Sequence, residues 1–107
     1  MLDKSKKILT LLEGHGYEKV RKGLVSVVIE NALFDIGTGT YYKVTDELKK
    51  RYQCYLPDCY EHPEYLNEIL KDLYGNSCTQ IIKSITEELE EFSNQKPIAK
   101  FIDALRQ

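Results

Sequence analysis

Between Arg51 and Tyr65 the chain sets Cys54, Cys59 and His62 in the pattern Cys-x4-Cys-x2-His, and Cys78 follows sixteen residues beyond the histidine. Thiolate sulfurs and an imidazole nitrogen are donors that tetrahedral zinc prefers, so a zinc-stapled helical domain is one reading of these four residues. Two features oppose it. The spacing is not a compact ligand pair repeated twice, and Cys78 falls where the local pattern expects an apolar side chain. Free cysteine packs as a small hydrophobe, so the metal-free reading is preferred and no cofactor is expected. Cys59 and His62 could also serve as nucleophile and base. No oxyanion-stabilising group accompanies them, and the chain is expected not to be an enzyme.

Other candidates have plainer readings. Ile36-Gly37-Thr38-Gly39-Thr40-Tyr41-Tyr42-Lys43-Val44 looks like the glycine-rich loop of protein kinases, but Tyr42 replaces its third glycine and nothing downstream matches the catalytic or metal-binding loops. The expectation is a helix–helix turn, with Gly37 left-handed and Thr38 or Thr40 capping the next helix. Glu87, Glu88, Glu90 and Glu91 read as a solvated acidic face. Tyrosine is the strongest remaining signal, because seven of the eight lie between Tyr41 and Tyr74 and tryptophan is absent. A tyrosine can bury its ring while its hydroxyl stays wet, which suits an interface. Tyr42, Tyr55 and Tyr60 fall off the helical core stripes and are the interface candidates.

The elements that must position these side chains follow from hydrophobic spacing. A short helix is expected over residues 3–13, stopped at Gly14. Tyr17 to Ile36 is apolar on nearly every side and reads as a central, mostly buried helix. A third helix from about Thr40 to Arg51 carries Tyr41, Val44, Leu48 and Tyr52 on one stripe. His62 can cap the next helix, Pro63 suits its first position, and Leu66, Ile69, Leu70 and Leu73 give it one apolar face ending at Gly75. Ser77-Cys78-Thr79-Gln80 has the form of a capping box. Ile81, Ile82, Ile85, Leu89 and Phe92 then share a face with Cys78, and a last helix from Pro97 buries Ile98, Phe101, Ile102 and Leu105. The expected fold is all-α, a single compact bundle of five to six short helices, with residues 1–22 as a basic arm and 23–107 as the core.

At 107 residues, 30 of them Leu, Ile, Val or Phe, the chain can bury one continuous core. Its net charge of −2 opposes the phosphate attraction behind most nucleic-acid binding. The charge is uneven, since Lys4, Lys6, Lys7, Lys19, Arg21 and Lys22 face only Asp3, Glu13 and Glu18 within the first 22 residues. A small DNA-binding regulator using these six residues is therefore the disfavoured alternative. No apolar run approaches bilayer length, the opening residues lack signal-peptide features, and three cysteines fit reduced thiols. A cytoplasmic protein with no membrane contact is expected.

A resemblance sharpens this. Glu30-Asn31-Ala32-Leu33-x-x-Ile36-Gly37, Tyr41-Tyr42-x-Val44-x-x-x-Leu48, Glu61-His62-Pro63-Glu64-Tyr65-Leu66 and Leu73-Tyr74-Gly75-Asn76 together resemble an archaeal helical family, the Nitrosopumilus-type output domain of signal-transduction proteins. It spans Val28 to Phe92, and the three cysteines depart from its pattern. The resemblance implies an all-helical fold and a role in signalling or protein interaction, and it brings no catalytic residue. The expected function is a non-enzymatic, archaeal interaction or output module that binds a protein partner or itself.

Overall fold

The computed structural model describes residues 18–107. The expected helix over 3–13, its stop at Gly14, and Lys4, Lys6 and Lys7 lie outside the described residues. The architecture is all-α, with no strand among the described residues. Its helices are α1 (Glu18–Ile36), α2 (Thr38–Tyr52), α3 (Pro63–Tyr74), α4 (Cys78–Leu89) and α5 (Lys96–Arg106), with a 3-10 turn at Leu56–Tyr60 between α2 and α3. None is long and apolar enough to cross a membrane.

One core joins them all. Val25, Ile29 and Leu33 of α1 meet Val44 and Leu48 of α2, Leu66, Ile69 and Leu70 of α3, Ile85 and Leu89 of α4, and Ile98 and Leu105 of α5. The helix i, i+3/i+4 spacing of these residues is what turns one stripe of each helix inward. α1 packs on the Leu56–Tyr60 turn, α2 and α4, while α3 packs on α2, α4 and α5. Leu56 and Cys59 fasten the turn by pointing into the same core. α1 runs unbroken through residues 22 and 23, where the sequence pattern had divided a basic arm from the core.

Polar contacts fix the register between elements. Lys22 Nζ of α1 lies 2.8 Å from Glu61 Oε1 and 3.6 Å from Asp58 Oδ1. Arg51 joins Glu47 at 2.7 Å to Asp72 across the α2–α3 interface, where the Tyr52 hydroxyl also donates to Glu68. The Tyr52 and Tyr65 rings stack there with centroids 3.8 Å apart. The buried Asn67 amide donates to the Leu105 carbonyl at 2.6 Å, which ties α3 to the end of α5.

Four expectations need correction. α1 is only partly buried: Val20, Val27, Phe34 and Ile36 are exposed, because apolar residues spread over more than one face give no sequence cue to the face that turns inward. Gly37 is extended rather than left-handed (φ 163°, ψ 150°), and no threonine side chain caps α2. Ser77 precedes α4 without a side-chain cap bond, and α4 ends at Leu89, before a separate 3-10 turn at Glu90–Phe92. His62 occupies the N-cap of α3 without capping it: its ring stacks on Tyr65 at 4.5 Å and its Nδ1 lies 3.1 Å from Glu64 Oε1.

Candidate functional site

Asp58 orders the turn whose Tyr55, Leu56 and Pro57 form one wall of a groove. Its carboxylate accepts the Tyr55 N–H at 2.8 Å, and its N–H donates to the Tyr55 carbonyl at 3.0 Å. The Asp58 carbonyl in turn accepts the N–H groups of Glu61 and His62, both at 3.1 Å. This local network holds the turn so that Leu56 enters the core and the Tyr55 ring stands out in solvent. Between the turn, α1 and α2 lies a groove of about 750 Å³.

Its second wall comes from α2. Tyr42, Thr45, Asp46 and Lys49 follow one another at i, i+3, i+4 and i+7, so they share one side of that helix and line the groove with their neighbours Tyr41 and Lys43. Thr45 Oγ1 donates back to the carbonyls of Tyr41 and Tyr42, at 3.1 and 3.2 Å. Ser26 and Glu30 of α1 line the remaining side, and Pro57 completes the turn's wall. The aromatic side is pre-organised, since Tyr41 stacks on Phe34 at 4.2 Å and meets the Tyr42 edge at 5.3 Å.

The groove can grip an apolar or aromatic group between Tyr42 and Tyr55 and set charges of either sign along its rim. Lys43, Lys49 and Glu30 have no ion-pair partner among the described residues, whereas Asp46 is held by Lys50 at 2.8 Å. No cysteine or histidine lines it among the described residues.

The structure thus brings two of the three interface candidates, Tyr42 and Tyr55, to one place. Tyr60 goes elsewhere. It is half-buried against the core and donates to Glu18 Oε2 at 3.0 Å, and burial followed by that bond pushes its phenol up to about 12. Lys43, Lys49 and Glu30 were not singled out in the sequence. The signal that could have found Lys49 is the i, i+7 step from Tyr42 on a helix whose core stripe is Tyr41-Val44-Leu48.

The thiol and histidine candidates form no metal-ligand cluster among the described residues. Cys59 and Cys78 are buried, and Cys54 is half-buried with its Sγ donating to the Tyr52 carbonyl at 3.3 Å. All three thiols are free, and no three His, Cys, Asp or Glu side chains gather around a metal-sized point among the described residues. Burial pushes the Cys59 thiol up to about 12, with the charges of Cys54, Asp58 and Glu64 acting in the same direction. A nucleophilic cysteine needs the opposite shift.

The basic candidates divide as well. Lys19 is exposed, Arg21 pairs with Glu18 at 2.6 Å, and Lys22 is committed to Glu61 and Asp58. The acidic cluster is a solvent-facing surface, with Glu87 3.9 Å from Lys83 and Glu90 3.6 Å from Arg106. No family model, no curated protein and no solved structure matches the chain.

Proposed function

We propose that the chain is a non-enzymatic helical interaction module that holds a segment of a partner protein in the groove between α1, α2 and the Leu56–Tyr60 turn. One observation carries this reading. Tyr42 and Tyr55, with 61% and 68% of their surfaces accessible, are the two most exposed large apolar side chains among the described residues, and both line that groove. Ordered aromatic rings give a binding surface large contact area at small entropic cost, so paired exposed tyrosines on a rigid wall suit recognition.

Lys43 and Lys49 fit a partner segment that presents an apolar or aromatic anchor beside acidic side chains. The resemblance of Val28–Phe92 to an archaeal output-domain family supports a signalling role for this module, with groove occupancy as the output. The test is capture from native extract with a photo-crosslinker at Lys43. The proposal expects a discrete crosslinked partner that is lost in a Tyr42→Ala, Tyr55→Ala double variant of unchanged helicity. Equal capture by the double variant would overturn it.

A further inference from the structure

α1 is a helix with two apolar sides and only one of them used. Opposite its buried residues, Val20, Val27 and Phe34 form a stripe with 37%, 52% and 39% of their surfaces accessible. Steps of seven residues keep all three on one face, over about 21 Å of helix. Exposed apolar side chains gathered on one face mark a contact surface. We propose that a second copy of this chain covers the stripe, its α1 lying antiparallel on the first with a two-fold axis at Val27.

Three observations select that occupant. An isologous interface must be self-complementary about its axis, and the stripe is: Val20 and Phe34 stand seven residues either side of Val27, so each Val20 meets a Phe34 and Val27 meets itself. Gly23 lies on the same face, and a Cβ there would meet nothing within 4 Å. An interior glycine weakens its own helix, and the space it leaves at the surface admits a close-packed neighbour. Finally, Lys19 and Glu30 flank the stripe on one edge, and neither has an ion-pair partner among the described residues. With antiparallel axes about 9 Å apart, Lys19 of one copy and Glu30 of the other fall with Cα atoms about 10 Å apart, within reach of their extended side chains, and symmetry makes the pair twice. Phe34 is already fixed for this contact by its stack on Tyr41.

Sedimentation equilibrium of the full chain from micromolar to millimolar concentration tests the proposal by self-association alone, so its outcome is separate from capture of a groove partner. The expected result is a monomer–dimer equilibrium. Val27→Glu, a change at an exposed site that leaves the circular dichroism intact, raises the dissociation constant at least about a hundredfold by setting two carboxylates against each other in the interface. Lys19→Glu and Glu30→Lys each raise it about 3- to 10-fold, and the double exchange restores it. A chain that stays monomeric throughout, whether residues 1–17, another partner or solvent meets the stripe, overturns the proposal. So does a dimer indifferent to Val27→Glu, and a dimer that the double exchange fails to restore overturns the antiparallel arrangement.

Discussion

Single side chains here divide into those the core consumes and those it leaves for contact, and residue type alone does not say which. Cys59, the most reactive-looking residue of the Cys54–His62 cluster, is fully buried and its thiol is pushed up to about 12. The unfolded chain gives up that proton near the ordinary thiol value of about 8.5 while the folded chain keeps it. The contribution of Cys59 to stability is therefore whole below that value and shrinks as pH rises toward 12, by at most about 1.4 kcal/mol per pH unit. Tyr60, also pushed up to about 12, acts in the same direction from about pH 10 upward. Thermal melts at increasing alkaline pH should show a falling melting temperature, and Cys59→Val should make the fall shallower; an unchanged slope would refute the assignment. Asn67 is a second consumed side chain, since its buried amide satisfies the Leu105 carbonyl at 2.6 Å. Asn67→Ala should cost about 1–3 kcal/mol in urea unfolding, because it removes a buried donor together with the partner of that carbonyl.

At the scale of elements, helix ends were the least legible part of the sequence. Thr38, Ser77 and His62 have the side chains of helix starts, yet none makes a side-chain cap bond. The one left-handed non-glycine residue among the described residues was invisible to pattern. Gln53 closes α2 at φ 54°, ψ 38°, its N–H bonding the Lys49 carbonyl at 3.0 Å and the following Cys54 N–H bonding the Leu48 carbonyl at 3.3 Å. A β-carbon in that conformation is strained, and glycine is the residue that helix C-termini usually place there. Gln53→Gly should therefore raise stability by about 1 kcal/mol, read as a higher urea midpoint with an unchanged slope. Strongly amphipathic elements were legible. The inward stripes of α3, α4 and α5 follow the apolar spacing, with Leu66, Ile69 and Leu70, then Ile81, Ile82 and Ile85, then Ile98, Phe101 and Ile102 buried and Leu73 only partly so.

For the whole molecule, stability and recognition are written on different residues. Leu66 is completely buried at the centre of α3, and Leu66→Ala should cost about 2–5 kcal/mol by leaving a cavity in a core shared by every helix. Tyr42→Ala and Tyr55→Ala should each shift stability by no more than about 0.5 kcal/mol, since both rings are mostly in solvent. Chemical denaturation of the three variants checks both sides of that division. If either tyrosine variant lost as much as Leu66→Ala, the groove would be part of the folding core.

By itself the sequence determined the all-α class and most of the core residues of α3, α4 and α5, because apolar residues at helical spacing can be buried in few other ways. It also marked Tyr42 and Tyr55, since neither lies on a core stripe. Tertiary structure decided which face of α1 turns inward, because its apolar residues are spread over more than one face and carry no single periodic signal. It decided too that Tyr60 is half-buried with its hydroxyl on Glu18 and that Cys59 enters the core while Cys54 is only half-buried. Both outcomes depend on how the Leu56–Tyr60 turn lies across α1, a long-range contact that local spacing does not encode.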